Sequence, residues 1–213
     1  DGGGGGDEMM ARTRMQAALP FAAANRIRGW NAPLGHHLDR LTALRPRVFA
    51  LQCGGAIGTL DKLGGKGGAV SARLAKALGL RDPDRQWQTD RSGIADLAHW
   101  LSLVTGSLGK MGQDIALMAQ NEIGEIKLSG GGGSSAMAHK QNPVKAETLV
   151  TLARFNAVQL SGIHQSMVHE QERSGAAWTL EWMLMPQMAV ATGAALRTAA
   201  QLVSEIERIG AAG

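Results

Sequence analysis

Between Gly130 and Pro143 the chain reads Gly-Gly-Gly-Gly-Ser-Ser-Ala-Met-Ala-His-Lys-Gln-Asn-Pro. Ser134 or Ser135 can exchange a proton, Lys140 brings a fixed positive charge, and consecutive backbone N–H groups in a glycine run can cradle an anion. Pro143 suits the first position of a following helix. Composition alone leaves two readings open, a flexible linker and a lid that closes on an anionic ligand. A second group of polar residues lies near the start, where Arg12 and Arg14, with Thr13 and Gln16, are able to hold a carboxylate by forked hydrogen bonds. The plainer reading of that cluster is solvated basic side chains.

Other chemistries find no support in the residue pattern. Cys53 is the single cysteine, and His36, His37, His99, His139, His164 and His169 form no zinc spacing. No Gly-x-Ser-x-Gly nucleophile elbow is present. Gly54-Gly-Ala-Ile-Gly58 lacks the Gly-Lys-Ser/Thr ending of a phosphate loop and reads as close-packed backbone in a turn.

The elements that must position these groups are helices. Ile27, Trp30, Leu34, Leu38 and Leu41 follow helical spacing from Pro20 to about Leu44, with Pro33 expected to kink or interrupt the run. Ala69 to Leu78 reads as a short helix. Ile94, Leu97, Leu101, Val104, Leu108, Met111, Ile115 and Met118 then step by threes and fours without a break, as in a bundle. The seam resumes after the glycine loop as Ala146, Leu149, Ala153, Asn156, Leu160, Ile163 and Met167. It resumes again after Ser174-Gly175 as Met185, Met188, Thr192, Ala195, Ala199, Leu202 and Ile206. Asn156 interrupts an apolar seam and is expected to set helix register, and Pro186 to bend the last helix. No stretch reads as a strand, so the expected fold class is all-α.

The bulk composition agrees. Hydrophobic residues make up 44% and charged residues 19% of 213, with ten methionines, five tryptophans and no tyrosine, which suits packed helices better than sheets. A net charge of +4, dispersed along the chain, leaves no nucleic-acid footprint and fits a small anionic substrate. One cysteine excludes an internal disulfide, and no run approaches the ~18 apolar residues of a membrane span. The expectation is a soluble, cytoplasmic chain without a signal peptide.

Gly133-Ser-Ser-Ala-Met-Ala-His-Lys-Gln-Asn-Pro143, followed by Glu147, resembles the signature of the fumarase/aspartase superfamily, Gly-Ser-Ser-x-Met-Pro-x-Lys-x-Asn-Pro with a later Glu. Ala11-Arg-Thr-Arg-Met-Gln16 and His169-Glu-Gln-Glu-Arg-Ser-Gly175 resemble the family's other motifs, in the same order. Leu51–Thr59, Trp87–Arg91 and Gly109–Asp114 look most like the bacterial 3-carboxy-cis,cis-muconate cycloisomerases. The resemblance runs from Met9 to the C-terminus. It implies a long-helix bundle whose central helices associate as a homotetramer, with active sites built from three subunits and no cofactor or metal. Residues 1–8 then form a glycine-rich ragged start and 9–213 the central helical domain, with the family's N-terminal domain absent from this stretch.

Carried onto this sequence, the resemblance makes Ser134 the proton carrier and Lys140 its cationic partner. Substrate oxygens fall to Arg12, Thr13, Arg14, Gln16, Gln88, Thr89, Ser135, Asn142 and Arg173, with Met137 lining the site. Two departures stand out. Ala138 occupies the family's proline position, and Arg14 occupies a position where many of its lyases carry histidine. A lyase protonating a leaving amine benefits from a histidine acid. A cycloisomerase does not, because its nucleophile is a substrate carboxylate already ionised at neutral pH. The resemblance thus implies lactonisation of a tricarboxylate, 3-carboxy-cis,cis-muconate, in aromatic catabolism. An adenylosuccinate- or argininosuccinate-type lyase releasing fumarate is the alternative within the family, and a catalytically silent bundle the alternative outside it.

Overall fold

The three seams fold as three long helices. The structure, a computed structural model, describes residues 8–133, 137 and 140–210. The helices are α1 (Ala23–Val48), α2 (Gly67–Leu78), α3 (Ser92–Met118), α4 (Val144–Gln165) and α5 (Gly175–Ser204), with a short 3-10 helix at Asp61–Lys66. They make the chain mainly α-helical, as the periodicity requires. The expectation of no strands is corrected: β1 (Glu8–Thr13) pairs β2 (Gln16–Ala22), β3 (Ile126–Leu128) pairs β6 (Ile206–Ile209), and β4 (Gly132–Gly133) pairs β5 (Gln141–Asn142), all antiparallel.

Other boundaries shift for local reasons. α1 begins at Ala23 rather than Pro20, because the residues before it belong to β2. It runs through Pro33 without interruption. A proline removes only its own N–H bond and crowds one turn, and Trp30 and His37, both buried, anchor the turns on either side. α5 likewise continues through Pro186. Met167 lies in the turn after α4, and Ile206 leaves the seam to open β6.

The chain divides into two compact units, the first of Asp1–His37, Ser102–Ala157 and Val190–Gly213. Its core takes Leu108, Ile115 and Met118 from α3, Ala146 and Leu149 from α4, and Ala195 and Leu202 from α5. Small residues let α3 and α4 approach closely. A Cβ added to Gly112 would lie 2.5 Å from the Ala146 carbonyl oxygen, and one on Gly109 2.5 Å from the Ala153 Cβ. Asn156, fully buried, donates from Nδ2 to Thr192 Oγ1 at 2.9 Å, so the polar break in the α4 seam meets a polar break in the α5 seam.

The second unit comprises Leu38–Leu101 and Val158–Ala189. Ala95, Ala98, Leu101, Ile163, Leu184 and Met188 form its hydrophobic cluster. Arg91 and Glu181 are buried here as a bidentate pair, Nε to Oε2 at 2.8 Å and Nη2 to Oε1 at 2.6 Å. The Arg91 guanidinium also lies 5.0 Å over the Trp87 ring. Arginine's planar fork suits this geometry, and either member alone would be an uncompensated buried charge.

Candidate active site

The early basic motif is a β-hairpin. Thr13 faces Gln16 at the last register position of the β1–β2 ladder, which leaves Arg14 and Met15 as the two turn residues. Both have left-handed backbone, φ +50° and +65°, the twist a two-residue hairpin favours but one normally supplied by Asn-Gly. Non-glycine residues there cost roughly 1–2 kcal/mol each. Such strain persists where the surroundings over-determine it, and it clusters at functional sites. Thr13, Arg14 and Gln16 are all exposed at this tip. Arg12, one step back, has its Nε 3.9 Å from Glu125 Oε2, and the same carboxylate accepts the Met10 N–H at 2.9 Å. Glu125 is buried. It therefore ties the hairpin to the segment that opens β3.

Arg12 also borders a recess of about 330 Å³, with Phe21, Asn25, Arg26, Lys110 and Asp114. Asp114 accepts from Trp30 Nε1 at 2.7 Å and from Lys110, and faces Arg26 at 3.8 Å. This recess is thus a wall of ion pairs. Of the expected site residues it holds Arg12 alone.

The signature loop is closed at its base by β4 and β5, with Gly132 opposite Asn142 and Gly133 opposite Gln141. The backbone here is closely packed. A Cβ on Gly130 would lie 2.6 Å from the Glu205 carboxylate, and one on Gly132 2.9 Å from Val144 Cγ2. Glu205 also accepts from Lys145, and its carbonyl takes the Ser129 N–H at 2.8 Å. One residue just after α5 thus ties the segment entering the loop, at Ser129, to the first turn of α4, at Lys145. Met137 and Lys140 are exposed, joined by the Lys140 N–H to the Met137 carbonyl at 3.0 Å. Pro143 stands just before α4 and its carbonyl accepts the Glu147 N–H at 3.0 Å, so it caps the helix one position earlier than expected. Ser134, Ser135 and Ala138 lie outside the described residues.

In the second unit Gln88 and Arg173 meet at one backbone carbonyl. Gln88 Nε2 donates to the Gly55 oxygen at 3.3 Å and Arg173 Nη2 at 2.8 Å. Trp178 packs beneath them, with Nε1 donating to the Gln88 carbonyl at 3.3 Å and the Arg173 guanidinium 4.9 Å over its ring. Gly55 and Gly58 take φ +68° and +91°, and a Cβ on Gly54 would meet Gln86 Cγ at 2.6 Å. The Gly54–Gly58 stretch is the close-packed turn its composition indicated. Gln88 is buried, Thr89 half-buried and Arg173 exposed.

A family model described as lyase matches residues 8–158. The chain belongs to this lyase family. It is 38% identical over 202 residues to the 3-carboxy-cis,cis-muconate cycloisomerase of Acinetobacter baylyi, a match covering 93% of this chain and 45% of that protein. The corresponding enzyme of Pseudomonas aeruginosa is 39% identical over 202 residues, with 93% and 44% covered. Among solved structures, the 3-carboxy-cis,cis-muconate lactonizing enzyme from Pseudomonas putida superposes with a TM-score of 0.88 at 38% identity, over 94% of this chain and 44% of that one. The chain thus spans a little under half the length of the curated relatives it matches. The resemblance to the fumarase/aspartase superfamily, and within it to the bacterial cycloisomerases, holds across nearly the whole stretch.

Within this lyase-family frame, Thr13 and Gln16 meet across the hairpin tip, Asn142 stands at the loop base, and Gln88 and Arg173 share an acceptor. Glu125, Glu205 and Trp178 were not foreseen as supports. Each acts across a long stretch of sequence, and no local spacing signals such a partner. Among the described residues no group of His, Cys, Asp or Glu is arranged to hold a metal ion, and no helix is long and apolar enough to cross a membrane.

Proposed function

We propose that the protein carrying this chain is a 3-carboxy-cis,cis-muconate cycloisomerase that works without a cofactor. The observation that carries this reading is the conjunction of the loop and the hairpin tip. The Ser-Ser-x-Met-x-x-Lys-x-Asn-Pro motif follows a tight glycine base, and Arg14, at the hairpin tip, takes the sequence position where many lyases of the family carry a histidine acid. Similarity to cycloisomerases in sequence and in structure supports the same reading.

The reaction is an internal conjugate addition. One carboxylate oxygen of the substrate attacks the conjugated double bond, forming the C–O bond of the lactone. The displaced electron pair collects on another carboxylate as an enediolate. Ser134 then delivers a proton to the carbon beside that carboxylate and regains one from solvent, so the product is an isomer of the substrate. Donors aimed at the enediolate contribute most, about 2.7–4 kcal/mol each by analogy with oxyanion-hole deletions. This reading assigns that role to Lys140 and the glycine N–H groups. Arg12, Thr13, Arg14 and Gln16 hold one carboxylate, and Ser135 and Asn142 another. Met137 lines the site, and Gln88, Thr89 and Arg173 complete the binding set.

We also propose a homotetramer whose subunits complete one another's active sites. α4 and α5 leave large apolar side chains in solvent, with Val158 71%, Val190 71%, Trp182 63% and Met183 60% exposed, a pattern that marks a surface for association. Light scattering gives the assembly mass directly, and a monomer would remove this part. For the reaction, the test is turnover of 3-carboxy-cis,cis-muconate followed by loss of diene absorbance, with fumarate assayed alongside. Absorbance loss without fumarate is expected. Inertness towards the muconate, or fumarate released from a succinyl substrate instead, would replace the reading with the lyase one.

A further inference from the structure

The turn between α4 and α5 contains a histidine that the mechanism above leaves idle. Among the described residues, both ring nitrogens of His169 are buried with no hydrogen-bond partner. A neutral imidazole carries one N–H donor and one bare nitrogen, and a cationic one carries two donors. Sealing them from water without a partner is costly, and most buried polar side-chain atoms are satisfied. The ring is instead positioned by packing. It stands edge-on to Trp178, centroids 6.4 Å apart at 70°. Trp178 is the same indole that donates to the Gln88 carbonyl and lies under the Arg173 guanidinium. Trp182 continues the stack at 5.8 Å.

The backbone adds to this. Gln171, two residues on, is held at φ +45°, a left-handed conformation in the middle of His-Glu-Gln-Glu-Arg. Ser174 caps α5 by accepting the Ala177 N–H at 3.2 Å. Glu170 is held below the usual carboxylate range, by the Ser174 hydroxyl first and by a backbone N–H next, so it stays an acceptor already engaged. The turn is thus fixed at both ends around an imidazole whose polar edge has nothing to bind. The Arg173 guanidinium lies over the same indole, and the Gln88 backbone carbonyl accepts from it.

We propose that His169 is a substrate-binding residue whose ring N–H donates to a carboxylate oxygen of the tricarboxylate, on the wall formed by Gln88, Arg173 and Trp178. This rests on the cycloisomerase reading for the identity of the substrate. The ring's preference for a carboxylate rests on its unpaired nitrogens and on the Arg173 guanidinium stacked on the same indole. A purely structural histidine would affect stability and leave substrate affinity alone.

The test uses the whole protein carrying this chain. His169→Phe keeps the edge contact with Trp178 and removes both nitrogens, and His169→Asn keeps an N–H donor; His169→Leu replaces the phenylalanine variant if that fails to fold. KM for the carboxymuconate should rise about tenfold in His169→Phe with kcat little changed, and recover in His169→Asn. Citrate, a tricarboxylate probe that needs no turnover, should raise the wild-type Tm. It should raise it far less in His169→Phe and nearly fully in His169→Asn. Wild-type inertness towards the muconate, together with citrate protection lost in His169→Phe, would remove the assigned reaction and keep the site. A KM and a citrate shift equal in wild type and His169→Phe, or no citrate shift in the wild type, would overturn the proposal.

Discussion

The base of the signature loop and the Gly55–Trp178 cluster are built on opposite plans. The loop base is a pair of two-residue strands whose glycines admit the Glu205 carboxylate and Val144, and its chemistry-bearing side chains Met137 and Lys140 stand in solvent. The Gly55 cluster buries its glutamine and binds it through the Gly55 carbonyl and the Trp178 indole, with a buried Arg91–Glu181 pair a few residues along the chain from each. The first is a short support for exposed groups. The second is a platform whose groups are set before any ligand arrives. In the proposed cycloisomerase the loop base carries the groups that react, and the platform holds binding groups already preorganised.

The comparison breaks most sharply at Arg91. Arg91→Leu leaves the Glu181 carboxylate buried without its partner and should cost about 3–5 kcal/mol in denaturant unfolding, while Arg91→Leu with Glu181→Leu should recover most of it. A loss near zero would mean that the platform does not depend on the pair. Next in size is Gly112→Ala, whose methyl would sit 2.5 Å from the Ala146 carbonyl on the helix that leaves the loop. Forcing α3 from α4 should cost about 1–3 kcal/mol, read as a lower Tm. Ser174→Ala removes the cap of α5 and should cost about 1 kcal/mol by the same measurement.

The smallest effect concerns Asp90. The Ser92 hydroxyl and N–H, with Arg85 and Arg91 nearby, hold its carboxyl below the ordinary value of 3.8. That stabilisation is complete above the unfolded carboxylate's pKa and is lost as the pH falls through the lower folded value. Its side chain is 43% exposed, so solvent screening reduces the contribution to a few tenths, roughly 0.3 kcal/mol. Asp90→Asn should therefore lower stability slightly at pH 7, with the difference from wild type vanishing as the pH falls through the lowered folded value.

The long helices were legible because a 3.6-residue period sustained over many turns has few other solutions. The strands were not. Arg14-Met15 carries none of the Asn-Gly signal of a two-residue hairpin, and the strands β4 and β5 are too short for any alternation to register. The loop's glycines suggested mobility, whereas Gly130 and Gly132 lie close against the Glu205 and Val144 side chains. Gln88 and Arg173 could be named from motifs, whereas their shared acceptor, Gly55, lies 33 and 118 residues away in sequence. Contacts of that separation leave no local trace.

The division between a reactive loop and a fixed platform is tested most directly by the steady-state kinetics of Ser134→Ala on 3-carboxy-cis,cis-muconate. Loss of the proton carrier should lower kcat by about 10²–10⁴-fold with KM nearly unchanged, because the binding groups remain. A kcat equal to that of the wild type would contradict the account.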